Sequence, residues 1–588
     1  MAQYGCIVLL RIAILELVSA HVHATGNAST SPAPSMDLDL SDYWNILVGP
    51  ISTAAVNTVV AATPMPSSSL VPPPPIYYSP WPIGHQAPQY IKNESWSLPK
   101  DFIWGVSGAA YQTEGIAGFM TASIPKLTSS GAAKDGGKGP SIWDVYAHRV
   151  TDYVTNNYTG DVSTNSYYMY KDDIARISAM GVKAYSFSLS WSRIIPYGRG
   201  EVNQIAIDYY NDVINTCLHY NVTPMVTLYH WDTPLFLQNS YGGWLGEQMV
   251  DDFLAYATVA FDAFGDRVKY WFTVNEPKHF CGGFPQSTGY FKTFDIPDAH
   301  QPFYCSTHVV LAHAKAYHLG KRMLGNDSII SYKNNGGFKV PLTKSTDDTR
   351  ATQIAWDYAE GWFSDPIYLY GDYGPNVKAF VSTFPLRNFT EDEKAFIKGS
   401  ADTYSIDAYS AVLISAPDGG VDECLANSSD PSYPYCYQQG YTSSDGWTLG
   451  AYSDPEANDW LYKTTDWIPA YLHHVADTWA GGRPVMVTEF GFAEPFEFQK
   501  TVLQDILYDP LRSSYMRDYV QAILLAVSEG VHVIGCMAWS LYDNFEWQEG
   551  YELKMGLQYV NFSRPDLKRY YKASFFEYKR MFDLYQDQ

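Results

Sequence analysis

The chain has 588 residues, 46% hydrophobic and 16% aromatic, enough for one large core with extensions. A formal net charge of −23 argues against a nucleic-acid partner, whose phosphates it would repel, and suits a neutral substrate. Tyr (48) and Trp (17) are abundant, which fits either a large aromatic core or stacking platforms for sugar rings.

Met1–Ala20 reads as a secretory signal. Cys6 to Ala20 is mostly apolar and ends in the small-residue pattern Val18-Ser-Ala20, with Ala24 a second cleavage point. Arg11 and Glu16 interrupt the apolar stretch, and no basic segment precedes it. Eight Asn-X-Ser/Thr sequons, at Asn27, Asn93, Asn157, Asn221, Asn326, Asn388, Asn427 and Asn561, agree with export. The expectation is a secreted, extracellular protein, with cell-wall association as one form of it.

Residues 25–95 form an extension rich in Ser, Thr, Ala and Pro, with Pro72–Pro75 as extended polyproline. Tyr43 to Ala62 carries no charge, but Gly49-Pro50, Asn45 and Asn57 make it too polar to span a membrane. Its expected place is packed on the folded domain, and membrane association is not expected.

From residue 96 to 585, strand-like runs alternate with helical periodicity. The runs are Phe102–Gly105, Ala184–Trp191, Pro224–His230, Tyr270–Glu276, Ile329–Asn334, Thr403–Tyr409, Pro484–Glu489 and Val533–Leu541. Helical segments include Tyr209–Tyr220, Glu247–Phe264, Ser306–Leu324, Asp466–Thr478 and Arg512–Ser528. Alternation of this kind predicts a parallel sheet with right-handed crossovers, and eight units predict a closed (β/α)8 TIM barrel of the α/β class. The domain is longer than a minimal barrel, so long loops decorate it; Pro417–Tyr441 reads as one.

Besides Cys6, six cysteines remain, which allow 15 pairings. Cys281/Cys305 and Cys424/Cys436 lie close in sequence in loop-like stretches and read as bridges. Cys217 and Cys536 read as buried thiols. His230 and the pair His473-His474 lack companions at metal-ligand spacing.

Two strings carry the chemistry: Thr273-Val-Asn-Glu-Pro277 and Val487-Thr-Glu-Phe-Gly491. Each ends a strand-like run with a glutamate. The C-terminal ends of barrel strands are where active-site loops gather, and two glutamates there can flank one glycosidic bond.

The chain resembles glycoside hydrolase family 1, the retaining β-glucosidases and their relatives. The resemblance runs from Phe102 to about Tyr578 through several motifs in order. They are Phe102-Ile-Trp-Gly with Tyr111-Gln-Thr-Glu-Gly115, Gly137-Lys-Gly-Pro-Ser-Ile-Trp-Asp144, Ser186-Phe-Ser-Leu-Ser-Trp-Ser-Arg193, Val226-Thr-Leu-Tyr-His-Trp-Asp232, the two glutamate strings, and Trp539-Ser-Leu-Tyr-Asp-Asn-Phe-Glu-Trp547. It implies that Glu276 is the acid/base and Glu489 the nucleophile. It implies that Gln112, His230, Asn275, Glu546 and Trp547 bind sugar hydroxyls, that Trp539 is the stacking platform and that Tyr409 bonds the nucleophile. The implied substrate is a small-molecule or oligosaccharide β-glucoside, hydrolysed with no cofactor and no metal. β-Galactosidase, β-fucosidase and transglycosidase activities are neighbours in class.

Four positions depart from the family pattern: Ser186 where a basic residue is usual, Asp407 for a usual Asn, Phe490 for a usual Asn, and Met555 for a usual aromatic. A cation beside the nucleophile favours its ionised form, so a different Arg or Lys is expected near Glu489. The departures also motivate an alternative, a catalytically impaired glycan-binding or cell-surface protein on the same scaffold. An inverting hydrolase needs wider carboxyl spacing and fits the motif pair less well.

Overall fold

The computed structural model describes residues 40–49, 92–115, 136–283, 291, 295–380, 384, 386–564 and 566–586. The stretch read as a signal and most of the Pro/Ser/Thr-rich extension lie outside the described residues. Eight parallel strands close into a barrel. They are β1 (Ile103–Gly108), β2 (Ala184–Ser188), β3 (Thr223–Tyr229), β4 (Tyr270–Asn275), β5 (Ile329–Pro341), β6 (Tyr404–Ser415), β8 (Val485–Phe490) and β9 (Val533–Ala538). Each pairs with its chain neighbour. β9 pairs with β1, and β8 with β6, which closes the ring. These strands are continuous apolar runs because both faces are covered: every residue of β2 and β8 is buried.

Inside the barrel, Ala184, Met225, Phe272, Met486 and Met537 form a small cluster of their own. They come from five different strands and plug the interior below the C-terminal strand ends, as layered side chains do in this architecture. The main core lies between the strands and the outer helices, and Trp191, Trp271, Tyr256 and Trp362 are among its largest buried side chains.

Strands β5 and β6 run well past the ends expected from sequence. Register shifts at Gly336/Phe338 let the pair continue to Pro341 and Ile414, and β7 (Gln438–Gly440) adds antiparallel beside Leu413–Ser415. Apolar periodicity marks only the part of a strand that is buried on both faces, so this projecting parallel pair escapes it. The loop read at Pro417–Tyr441 contains a short helix, Val421–Ala426, and ends in β7. Cys424–Cys436 and Cys281–Cys305 are disulfide-bonded, while Cys217 and Cys536 are buried thiols, as read from sequence. The helix expected at Asp466–Thr478 is shorter, Ile468–Val475, and is followed by a wider turn over Ala476–Ala480.

Within the N-terminal extension, α1 (Leu40–Leu47) is packed on the barrel, with Tyr43, Trp44 and Val48 buried. Among the described residues no helix is long and apolar enough to cross a membrane.

Several charged motif residues are scaffold. Arg193 Nε lies 2.8 Å from Glu114 Oε2, and the Tyr210 hydroxyl donates to Glu114 Oε1 at 2.7 Å. Below the Trp539–Trp547 loop, Arg512 pairs with Glu497 and, at 2.7 Å, with Asp509. Lys572 pairs with the same Glu497 and, at 2.7 Å, with Asp543. All five side chains are essentially inaccessible to solvent. Removing one partner strands the others as uncompensated buried charge. Arg512→Met is therefore expected to cost about 3–5 kcal/mol of stability. Urea unfolding of the variant measures it, and a loss under about 1 kcal/mol, the size of an exposed pair, contradicts the account.

Candidate active site

The two glutamates sit where two of these strands end. Glu276 follows β4 directly, with its amide donating 2.9 Å to the Lys333 carbonyl of β5. Glu489 is the fifth residue of β8. One carboxyl oxygen from each of Glu276, Asp407 and Glu489 lies within 4.8 Å of the other two. They open into a cavity of about 520 Å³ whose wall includes His230, Asn275, Tyr409, Trp539, Glu546 and Trp547.

The structure brings every residue of the sequence-derived set to this place. The Tyr409 hydroxyl donates to Glu489 Oε2 at 3.0 Å. The hydrogen-bond network orients the Asn275 amide so that its NH2 donates to Asp407 Oδ2 at 3.2 Å and to Glu489 Oε1 at 3.1 Å. Its oxygen then faces His230 Nε2 across 3.3 Å. Glu546 accepts from Gln112 Nε2 at 3.2 Å and from Trp539 Nε1 at 3.1 Å. Gln112 Oε1 is buried without a protein partner among the described residues, an acceptor left for a ligand or water. His230 lies nearly parallel to both Trp539 and Trp547, at 5.8 and 5.9 Å between ring centroids.

Glu276 (φ 46°), Trp547 (φ 51°) and Trp231 (φ 73°), which also lines the cavity, have left-handed backbones. Such conformations cost of order 1–3 kcal/mol each and persist where surrounding contacts fix them. Gly491, in the second glutamate string, is required by close approach: a Cβ there would sit 2.0 Å from the Trp539 carbonyl oxygen.

The departures resolve differently. Ser186 lies on β2, buried, with its hydroxyl unpartnered among the described residues. The cation expected elsewhere is Lys333 of β5, whose ammonium stands 3.1 Å from Glu489 Oε1, both side chains nearly inaccessible. Sequence reading missed Lys333. Its signal was a lysine inside the apolar run read as a strand, Ile329–Asn334. Asp407 accepts from Thr488 Oγ1 at 2.6 Å. Phe490 points away from the cavity and stacks on Tyr519 at 4.2 Å. Met555 is buried in the cavity wall.

Burial raises the Glu276 carboxyl well above the usual carboxylate range, and the negative charge of Asp407 and Glu489 adds to the shift. Burial raises Asp407 well above that range too, with Glu489 adding. Glu489 is raised by burial, but the Lys333 ammonium and the Tyr409 hydroxyl oppose the shift. His230 falls well below its usual value, by burial and then by Lys333, and is a neutral imidazole. Burial lifts Glu546 to about 8. The environments thus separate two glutamates of the same intrinsic chemistry, the condition for giving one a proton and the other a charge.

A barrel with paired carboxyls at the ends of β4 and β8, among stacked tryptophans and hydroxyl-binding side chains, defines a glycoside-cleaving enzyme. The family model for glycosyl hydrolase family 1 matches residues 94–584, and the chain belongs to that family. A wheat (Triticum aestivum) enzyme named as a β-D-glucosidase of a methoxy-benzoxazinyl glucoside, chloroplastic, is 33% identical over 84% of this chain and 85% of its own. A rice β-glucosidase, solved as a glutamine variant in covalent complex with glucose, aligns with a TM-score of 0.73 and 32% identity, covering 83% of this chain and 98% of its own. The Trichoderma harzianum β-glucosidase aligns at 0.74 and 30%, covering 85% and 100%. The protein is an O-glycosyl hydrolase of the β-glucosidase type that acts on glucosides with retention, and nothing favours the impaired, glycan-binding alternative.

One expectation is corrected. The wheat relatives are named chloroplastic, which stands against the secreted localisation read from the N-terminus and the sequons. The apolar stretch is broken by Arg11 and Glu16 and lacks a basic start. Sequons arise by chance in a chain of this length and composition.

Proposed function

We propose that Glu489 is the nucleophile and Glu276 the acid/base of this retaining β-glucosidase. The observation that carries the assignment is the Lys333–Glu489 ion pair beside a Glu276 that has no cation in ion-pair contact among the described residues. Glu489 attacks the anomeric carbon, forming an ester bond as the bond to the aglycone oxygen breaks and Glu276 gives that oxygen its proton. Water then attacks the same carbon, Glu276 takes its proton, and the ester bond breaks to release glucose and ionised Glu489. A group spacing of roughly 5–5.5 Å suits this route, whereas inversion needs about 6.5–9.5 Å to seat a water.

The remaining roles follow from donor and acceptor chemistry. Asn275 presents its amide to Glu489 and, through it, to the position of the 2-hydroxyl, where hydrogen bonds strengthen in the transition state. Glu546, Gln112, neutral His230 and the indole N–H of Trp547 bind hydroxyls on the far side of the ring, and Trp539 supplies the apolar face. Tyr409 holds the second oxygen of Glu489. The domain assignment that goes with this reading is a catalytic barrel over 96–585 behind an extension over 25–95. A small glucoside or a short oligosaccharide fits the cavity; a nucleic-acid partner and membrane association do not belong to the reading.

The test is a p-nitrophenyl β-glycoside panel. The glucoside is expected to be hydrolysed, Glu489→Gln to abolish turnover, and Glu276→Ala to lower it by about 10²–10⁴-fold with partial rescue by azide, yielding the β-glucosyl azide. An α-configured azide product, or full activity in Glu489→Gln, removes the assignment.

The pH dependence follows from the sign of the ion pair. The ammonium stabilises ionised Glu489, so removing it raises that carboxyl further and depletes the nucleophile from the acid side. Lys333→Met is expected to move the acidic limb of kcat/KM upward by about 1–3 pH units. A variant with an unshifted acidic limb shows that Lys333 does not set the ionisation of Glu489.

A further inference from the structure

We propose that Leu40–Gly49 is a built-in clamp that positions the Trp143–Trp547 wall of the glucoside cavity, so that the working enzyme must retain this segment. The segment lies outside residues 94–584, the part matched to the family. The proposal rests on the reading of that cavity as the glucoside site.

The seat is specific at both ends of one short helix of the barrel, α2 (Ile142–Arg149). At its start, the Trp44 indole N–H donates to the Lys138 carbonyl at 3.0 Å. The Lys138 ammonium stands 5.5 Å over the Trp44 ring and 5.8 Å over Tyr111. The same ammonium is 3.4 Å from Asp144, and Asp144 accepts from the Ser141 amide and hydroxyl at 2.6 and 2.9 Å, closing a capping box on α2. At its end, Arg149 donates to the Leu47 and Ile46 carbonyls at 3.3 and 3.5 Å, which are among the last acceptors of α1. Gly49 makes that contact possible. Its φ of +96° closes α1, with its amide on the Trp44 carbonyl at 3.0 Å, and a Cβ there would meet Arg149 Nη2 at 2.6 Å. Tyr43 fills the third side, edge-on to Tyr197 and Phe236 at 6.3 and 6.4 Å.

Between the two anchored ends, α2 carries Trp143, which lines the cavity. Trp143 is 4.4 Å from Trp547 between ring centroids, and Tyr111, the other ring under the Lys138 ammonium, stacks on Trp547 at 6.0 Å and 5°. Trp44 therefore reaches the cavity wall by two routes, through Lys138–Asp144–α2–Trp143 and through Lys138–Tyr111. Trp547 is held in a left-handed backbone conformation, so its ring depends on these neighbours for its place. Trp44 and Gly49 are positioning residues; neither touches the substrate.

The test uses the full-length chain with Trp44→Ala, Trp44→Phe and Gly49→Ala. For Trp44→Ala the KM of an aryl β-glucoside and the Ki of glucose are expected to rise together by about tenfold while kcat changes by less than about threefold, because a small displacement of a binding wall is felt in ground-state contacts. Trp44→Phe keeps the ring without the N–H and falls between wild type and Trp44→Ala. Hydrogen exchange is expected to quicken across residues 138–149 in all three variants. A KM and Ki unchanged in the folded variants overturn the proposal; lowered thermal stability with it leaves the segment as a stabilising strap. If Trp44→Ala does not fold, the same readouts on Trp44→Phe and Gly49→Ala decide. A wild-type protein that cleaves no glycoside fails the catalytic reading instead, and exchange across 138–149 then judges the clamp by itself, with unchanged exchange overturning it.

Discussion

Three carboxyl groups within reach of one another and sheltered from water are the constraint around which the mouth of this barrel is arranged. Full ionisation of such a cluster is prohibitive, because like charges in a low dielectric repel strongly and none is fully hydrated. Among the described residues one ammonium, that of Lys333, is in ion-pair contact with the cluster, and it favours charge on the carboxyl it touches. It stands at Glu489, and Tyr409 and Asn275 add donors to the same carboxylate. Burial raises the carboxyls of Glu276 and Asp407 well above the usual carboxylate range. In the proposed assignment, the split on which retaining hydrolysis depends comes from the placement of one cation, because the two glutamates share the same intrinsic acidity.

Lys333 serves both glutamates through different atoms. Its ammonium faces Glu489, while its carbonyl receives the Glu276 amide at 2.9 Å and helps hold the left-handed turn that brings the Glu276 carboxyl into the cavity. A change at this side chain acts on the charge of one group, whereas a change of local backbone acts on the aim of the other.

Much of the barrel was legible from the chain. Parallel strands covered on both faces are nearly continuous apolar runs, and all eight runs read that way are strands. Both glutamate strings were legible as well, since each places a carboxyl at a strand end. What sequence did not give is the content of long-range pairing. Ser186 stood out as a missing cation, but nothing local links it to a lysine on β5 that meets a glutamate 156 positions away. The extension of β5 beyond Asn334 was missed because most of its residues are half-exposed and the apolar period lapses there. The export reading failed for a different reason. Leader peptides and sequons are weak local patterns, and no burial or pairing disciplines them as it does a strand.

The extension shows the same limit from the other side. Its composition, rich in Ser, Thr and Pro, is that of a linker, and composition averages over a long segment. Ten residues within it behave otherwise because five of them have specific counterparts on the barrel: Trp44 for Lys138, Tyr43 for Tyr197 and Phe236, and Ile46, Leu47 and Gly49 for Arg149. A tryptophan with 1% of its surface exposed and its N–H satisfied is a core residue by every physical measure, whatever surrounds it in sequence. This element lies behind the cavity wall, packed against the Lys138–Arg149 stretch that carries Trp143.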